Sequence, residues 1–459
     1  MLSTIFKLYD IRGKYPSQIN EVVIFDLIHK FPMVFSKKAR VIIGHDARHS
    51  SPSLYKTAIK TLQELQYTVI EVGMITTPML MFLADHFKFK KDIGIMITAS
   101  HNPKDQNGIK IIDEHLQVVG GRDLLGRITH SFLGREEITP RIKKAPSRNK
   151  IAETRRAYIR FLEKFFKGGN KKRKLYVVVD CSNGSAGPIL QKVKFPSYVQ
   201  VILLNQKPDG NFPAHAPNPL LQSSVTDVKK AIKKHKADFG AVLDGDGDRI
   251  VFVDNTGKRV RPEYIWRLVV GHEKYKKTVV TELNGFLIKR LAENHQLKNV
   301  RVFPSRVGRK SFLEKMKARN ADFGFENSGH YYFKDFFYSD CGILTLIKVL
   351  QAVRTLPYTL SDFIGFLPHT VRLPEYNIPA RHATSALYHT LADMMEHKAE
   401  KISFFEGVSM YIGGIFVNVR ASNTESEIRI NVEGEDVKKT KTLLPRIVKL
   451  VKEMGKWRE

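Results

Sequence analysis

FGAVLDGDGDRIVFV, Phe239 to Val253, decides the fold. Two short apolar runs, Phe239 to Leu243 and Ile250 to Val253, flank the polar hexad Asp244-Gly245-Asp246-Gly247-Asp248-Arg249. Apolar runs of this length, bounded by turn residues, predict buried strands. Glycine at alternate positions lets the backbone bend until all three carboxylates face one point. Such a trio repels itself and resists desolvation unless a cation sits among it. Oxygen donors of this kind favour Mg²⁺. An EF-hand is excluded, because Asn255 stands at the twelfth loop position, where that motif needs glutamate.

Outward from this stretch, the same pattern recurs. Val41 to Gly44 and Leu175 to Asp180 also end an apolar strand in an acid (Asp46 and Asp180), and Thr278 to Thr281 runs into Glu282. The echo predicts three related α/β units. Helices are expected from a serine cap at Ser50-Ser51-Pro52, from Thr77-Pro78, and over 153–166, Val225 to His235, Gly285 to Asn294 and Gly342 to Arg354. Further strands are expected at Ile93 to Thr98, Val199 to Leu204, Val300 to Phe303 and Ala321 to Phe325. After Pro368 the texture changes: strands Ile412 to Val419 and Glu427 to Val432, then an amphipathic helix Val437 to Lys452, predict a smaller α+β domain. The divisions read from this pattern are 1–148, 149–256, 257–367 and 368–459.

The chain has 459 residues, enough for several cores, and a net charge of +29. That charge favours anionic ligands, small phosphorylated ones included. Its lysines are scattered over linkers and polar helix faces, and no zinc-finger or RNP-type signature accompanies them, so nucleic acid is not the expected partner. Two cysteines, Cys181 and Cys341, exclude a disulfide scaffold. No apolar run approaches 18 residues, and the N-terminus lacks the pattern of a secretory signal, so a cytoplasmic protein without membrane contact is expected.

Three more polar stretches carry chemistry. ITASHNPKDQNGIKI, Ile97 to Ile111, runs from a strand into a loop with Ser100 at its centre. A loop serine alone is ordinarily a turn or cap residue. Glu326-Asn327-Ser328-Gly329-His330 follows another strand and offers hydrogen-bond partners for vicinal hydroxyls. Arg420-Ala421-Ser422-Asn423-Thr424-Glu425 gathers a guanidinium, hydroxyls, an amide and backbone N–H groups suited to a phosphate.

Taken in order, these stretches resemble the α-D-phosphohexomutase family, the phosphomannomutases and phosphoglucomutases, over nearly the whole chain. Phe6 to Gly13 is similar to the family's opening motif, Thr98 to Lys110 to its phosphoserine loop, and Asp244 to Arg249 to its magnesium loop. Glu326, Ser328 and His330 match its sugar-recognition loop, and Arg420 to Glu425 its phosphate clamp. The resemblance implies three related α/β domains with mixed sheets plus a smaller C-terminal α+β domain around a central cleft. It implies Ser100 carried as phosphoserine and Mg²⁺ on Asp244, Asp246 and Asp248. Arg12, His101, Lys110 and Arg249 would act at the transferring group, while Arg420, Ser422, Asn423, Thr424, Arg309 and Lys310 would bind phosphate. The implied reaction exchanges phosphate between C6 and C1 of mannose or glucose through a hexose 1,6-bisphosphate, in a monomer or homodimer.

The chain departs from the family pattern at four places. Arg309 follows Gly308 where many members have histidine, so proton transfer is expected to fall to Lys110, His101 or another group. Phe325 precedes Glu326 where glycine is usual, Ser426 stands where the clamp has proline, and Cys341 follows Asp340 at a position usually smaller or acidic. Alternative expectations are a phosphoglucosamine mutase, a bisphosphate-dependent phosphatase, or a non-catalytic nucleic-acid-binding protein on a mutase fold. Steep salt dependence of DNA or RNA binding would mark the last.

Overall fold

The computed structural model describes the chain apart from residues 1–4, 8–9, 89, 91, 132–144, 167–172, 274–277, 283–284, 294–299, 380–384, 423–426 and 456–459. Two compact units form: Met1–Val280 with Val307–Ile364, and Thr281–Arg306 with Gly365–Glu459.

The first unit begins with a seven-stranded mixed sheet of β1 (Ile11–Lys14), β2 (Arg40–His45), β3 (Thr68–Met74), β4 (Ile93–Ile97), β5 (Gln106–Ile112), β6 (Val118–Val119) and β7 (Ser147–Asn149). Its order is β1-β5-β4-β2-β3-β7, with β6 beside β5. β2 pairs in parallel with β3 and β4, while β5 runs antiparallel to β4. Ile93–Ile97 is buried throughout, as a strand covered on both faces must be. Helices Glu21–His29 and Ser51–Glu64 supply apolar stripes (Ile24, Leu27, Ile28; Leu54, Ala58, Leu62) to this core.

A second sheet repeats the plan with β8 (Leu175–Asp180), β9 (Val199–Leu204), β10 (Phe239–Leu243), β11 (Ile250–Asp254) and β12 (Arg259–Val260), in the order β12-β11-β10-β8-β9. β8 is parallel to β9 and β10; β10 and β11 are antiparallel, with Leu243 opposite Ile250. In the third, β13 (Thr278–Thr281) precedes β14 (Arg301–Pro304), which lies in the second unit. β15 (Phe323–Phe325), β16 (Tyr331–Phe333) and β17 (Ser339–Asp340) pair antiparallel in sequence.

Three functional loops therefore occupy one topological position. Each leaves a strand and returns antiparallel beside it: β4 to β5 carries Ser100, β10 to β11 the aspartates, and β15 to β16 the Glu326–His330 stretch.

The second unit holds the six-stranded sheet of β18 (Val371–Arg372), β19 (Tyr376–Pro379), β20 (Lys401–Ser403), β21 (Val408–Ile412), β22 (Ile415–Ala421) and β23 (Glu427–Gly434). Helices Ser385–Met395 and Val437–Gly455 contribute Leu391, Met395, Ile447 and Val451 to its core. Together the sheets give the expected four-domain α/β architecture.

Two local expectations are corrected. The predicted strand Ile412 to Val419 is a hairpin: Gly413 and Gly414, at φ 55° and 77°, turn β21 into β22, and Ile412 pairs with Ile415. Two left-handed residues are what a tight two-residue hairpin needs. Ser50 precedes its helix but makes no side-chain cap; its Oγ accepts from Asn107 Nδ2 at 2.7 Å instead. Among the described residues no helix is long and apolar enough to cross a membrane.

Candidate active site

The end of β4 delivers Ser100, and the end of β10 delivers Asp244. Both are buried, and Ser100 Oγ donates to Asp244 Oδ2 at 2.9 Å. Ser100 sits at φ 53°, the left-handed region that a residue with a Cβ rarely adopts. Gly245 explains the close approach: a Cβ there would stand 2.7 Å from the Ser100 carbonyl oxygen. His101 Nδ1 lies 3.3 Å from Ser100 Oγ. Burial, then Arg249 and Arg12, push the His101 imidazolium well below the usual histidine range, so the ring is a neutral base near pH 7.

Each aspartate of the trio has a different environment. Burial and the charges of Asp248 and Asp246 push Asp244 well above the usual carboxylate range. Burial also opposes ionisation of Asp246 and Asp248, yet Lys110 holds both below that range. Lys110 Nζ bridges their Oδ2 atoms at 2.7 Å each. The helix Thr77–His86 adds two more bonds, with Thr77 Oγ1 donating to Asp246 Oδ2 at 2.5 Å and Thr77 N to the Asp246 carbonyl at 2.9 Å. The two remaining oxygens, Asp246 Oδ1 and Asp248 Oδ1, are buried and have no hydrogen-bond partner among the described residues.

Ligand atoms of Asp244, Asp246 and Asp248 lie within 4.8 Å of one another. Unpartnered carboxylate oxygens beside a carboxyl whose ionisation is suppressed form a donor set that fits a hard divalent cation. Asp248, His330 and Asp340 form a second cluster of similar compactness. There Arg249 Nε donates to His330 Nε2 at 2.9 Å, which leaves the ring proton on Nδ1, 2.7 Å from Asp340 Oδ2. That nitrogen carries a proton and meets Asp340 as an ion-pair contact, without hydrogen-bond geometry, so it offers no lone pair to a cation.

The third loop closes over the second. Ile250 N donates to the Gly329 carbonyl at 2.9 Å and Gly342 N to that of Gly247 at 3.2 Å. Glu326 is buried, with Gly308 N and Tyr332 Oη donating to its two oxygens at 2.9 and 2.5 Å. Ser328 is half-buried beside it. The structure sets His330 in the Asp248–Asp340–Arg249 network. Arg309 pairs with Asp340 at 2.9 Å. Burial opposes the Asp340 charge, but Arg309 and His330 bring its carboxyl down to about 2. Arg12 binds Asp10 at 2.5 Å, the Ala99 carbonyl at 3.1 Å and Asn102 Oδ1 at 3.1 Å, which places it under the serine loop. Lys310 pairs with Asp123 at 2.5 Å in an exposed ion pair.

In the second unit, Arg420 lies near the end of β22, with Nη2 3.7 Å from Glu375 Oε2. It lines a cavity of about 380 Å³ with Arg306, Tyr388, His389 and Phe404. Ser422 N donates to the Glu427 carbonyl at 2.8 Å. Asn423, Thr424, Glu425 and Ser426 lie outside the described residues.

Sequence reasoning saw Asp46 only as the acid closing a strand and passed over Arg48. The signal was present, since an acid and an arginine two residues apart follow β2, but only the tertiary structure brings them to Ser100.

Four family models match consecutive parts of the chain: phosphoglucomutase/phosphomannomutase α/β/α domain I over residues 3–120, domain II over 156–257, domain III over 267–370, and the C-terminal domain over 377–450. The chain belongs to the phosphoglucomutase/phosphomannomutase family. Phosphohexose mutases of Xanthomonas campestris pv. campestris are 30% identical to this family member over 442 residues, 93% of this chain and 94% of theirs. A phosphomannomutase of Escherichia coli K12 is 30% identical over 471 residues, 96% of this chain and 98% of its own. The crystal structure of a phosphoglucomutase/phosphomannomutase family protein from Burkholderia thailandensis shares the fold, with a TM-score of 0.83 at 24% identity over 98% of each chain. Membership brings phosphohexomutase chemistry, a metal-assisted intramolecular phosphoryl transfer, and the carboxylate trio offers the fitting metal site.

Proposed function

We propose that this mutase interconverts the 6-phosphate and 1-phosphate of a hexose, mannose and glucose both being accepted, with Ser100 as the phosphoryl carrier. The observation that carries the proposal is the 2.9 Å contact between Ser100 Oγ and Asp244, at the mouth of a buried carboxylate trio. Names support the hexose: the curated relatives are called phosphohexose mutase and phosphomannomutase. Mg²⁺, held by Asp244, Asp246 and Asp248, would supply charge neutralisation at the phosphoryl oxygens.

The chain's own groups divide the remaining work. Ser100 gives its phosphoryl to the free hydroxyl of a hexose monophosphate and takes the other phosphoryl back from the hexose 1,6-bisphosphate. His101, neutral and 3.3 Å from Ser100 Oγ, is placed to hold the proton exchanged at that oxygen. Lys110 is not: burial works against its charge, but Asp246 and Asp248 raise it above the ordinary lysine value, so it stays an ammonium. It serves with Arg12 and Arg249 as fixed positive charge around the transferring group. Glu326 and Ser328 receive the sugar hydroxyls; each Glu326 oxygen keeps a lone pair beyond its bond to Gly308 N or Tyr332 Oη. Arg420 and Ser422, with Asn423 and Thr424, take the non-reacting phosphate.

The test is an isomerisation assay with mannose 1-phosphate, glucose 1-phosphate and glucosamine 1-phosphate, each with Mg²⁺ and a trace of hexose 1,6-bisphosphate. Turnover of the first two is expected, falling about 10³-fold or more in Ser100→Ala. Full turnover in that variant removes Ser100 from the reaction. Preference for the glucosamine substrate replaces the hexose assignment, and stoichiometric release of inorganic phosphate replaces the mutase by a phosphatase.

A further inference from the structure

We propose that the buried Asp46–Arg48 pair is a positioning device that holds Ser100 in its left-handed backbone conformation and so aims the hydroxyl at Asp244. For its catalytic consequence this rests on the assignment of Ser100 above.

Arg48 is fully buried, and all five of its guanidinium N–H groups are used. Nε donates to Asp46 Oδ2 at 3.1 Å. Nη2 donates to the carbonyls of Ser100 and Asn102 at 2.8 and 2.6 Å. Nη1 donates to those of Pro103 and Gln106 at 2.6 and 2.9 Å. One side chain therefore binds four carbonyls of the turn that leads from β4 into β5. The Phe212 ring, 5.3 Å from the guanidinium carbon, covers its remaining face.

Asp46 holds the other side of Ser100. Its Oδ1 accepts from Arg48 N at 3.0 Å and Ser51 Oγ at 2.6 Å. Its Oδ2 accepts from Arg48 Nε and, at 2.6 Å, from Thr98 Oγ1. Thr98 Oγ1 in turn accepts from Ser100 N at 2.8 Å. A closed ring results, running from Asp46 through Thr98 to the Ser100 N–H, across Ser100 to its C=O, and back through Arg48.

The amide on one side of the Ser100 Cα and the carbonyl on the other are thus fixed by one buried ion pair. That pair sits where β2 ends, in the sheet that also carries β4. A backbone at φ 53° returns to negative φ unless both ends are held, and that rotation swings Cβ and Oγ away from Asp244. Asp46 and Arg48 touch no reacting atom, so their role is positioning. A fully satisfied network of this kind is rigid, and removing one member leaves buried groups unpaired.

Arg48→Lys keeps the charge and offers three N–H groups from one atom, which cannot span four carbonyls. Thr98→Val keeps the shape and removes the single hydroxyl that joins Asp46 to the Ser100 amide; Thr98→Ser restores it. In the isomerisation assay we expect kcat to fall about 10²-fold in the first two variants, with KM within about threefold of wild type and near-complete rescue by Thr98→Ser. Titration with Mn²⁺ should be unchanged, because neither side chain touches Asp246 or Asp248. A merely structural role would lower the melting temperature and leave kcat per folded molecule intact.

The backbone half of the proposal is read without turnover. Amide hydrogen exchange across 98–106 should accelerate in Thr98→Val at a temperature where the rest of the chain keeps its protection. Unchanged exchange, or wild-type kcat in folded Thr98→Val, overturns the positioning role; where Arg48→Lys does not fold, Thr98→Val decides alone. A wild-type protein that turns over no hexose phosphate sinks the mutase assignment, and the exchange experiment still decides the backbone claim.

Discussion

The serine loop and the acidic loop stand at the same place in two copies of one plan, yet they are built oppositely. Each follows a buried strand and returns antiparallel, and each lies beside an aspartate that ends a neighbouring parallel strand: Asp46 after β2 and Asp180 at the end of β8. The acidic loop takes its left-handed turn at Gly247, φ 72°, where the absent side chain makes the conformation free. The serine loop takes its turn at Ser100, which needs its hydroxyl and must be forced. The strand-ending acids differ to match. Asp46 pairs with an arginine that is always charged, whereas Asp180 Oδ2 lies 3.3 Å from His215 Nε2. Where the turn residue has a job, the fold spends a permanent ion pair on it; where the turn is glycine, a titrating partner suffices.

Removing charge from the acidic loop has the greatest expected effect. Asp246→Ala loses the oxygen that Lys110 and Thr77 hold and one of the two unpartnered buried oxygens. Turnover should fall about 10³-fold, and Mn²⁺ affinity, measured by calorimetric titration, should fall with it. Normal activity at ordinary Mg²⁺ concentration would dissociate the trio from the chemistry.

A smaller effect sharpens the contrast between the two turns. Gly247→Ala puts a Cβ at positive φ and 2.9 Å from Thr76 Cγ2, so a loss of about 1–2 kcal/mol is expected in urea unfolding. At the serine the sign reverses. Ser100→Gly should be more stable than Ser100→Ala by up to about 1 kcal/mol, because only alanine retains the left-handed cost. Equal stabilities would mean that Ser100 is not strained.

The smallest effect concerns His215. Burial opposes its charge, but the bond to Asp180 and the contact of Nδ1 with the Ala216 carbonyl at 2.8 Å raise the imidazolium above its usual value, with Asp227 assisting. A raised folded value means that the added stability is complete below the unfolded value of about 6.5 and is lost as pH rises through the folded one. His215→Gln should therefore lower the melting temperature more at pH 6 than at pH 8.5. A pH-independent difference in calorimetry would show that folding does not raise the His215 imidazolium.

Much of this molecule is written locally. Leu175–Asp180, Val199–Leu204 and Phe239–Leu243 are strands at the bounds that their apolar runs predict; Phe239–Leu243, buried at every position, is apolar along its length because it is covered on both faces. The acidic loop is legible for a similar reason: its three carboxylates lie within five residues, and their mutual repulsion is a local fact. The Gly413-Gly414 turn hides within one apolar stretch, and the cap expected of Ser50 gives way to its bond with Asn107, a partner 57 positions away.

Which residues can do chemistry, and the order in which they arrive along the chain, is legible before folding. Which of them meet is not. Ser100 reaches Asp244 across 144 positions, Lys110 reaches Asp246 across 136, and Arg48 reaches the Ser100 carbonyl across 52. Periodicity is a property of neighbours in the chain, so it reports strands and turns. The pairing of buried charges is set by sheet order and loop approach, and those appear only once the chain has folded.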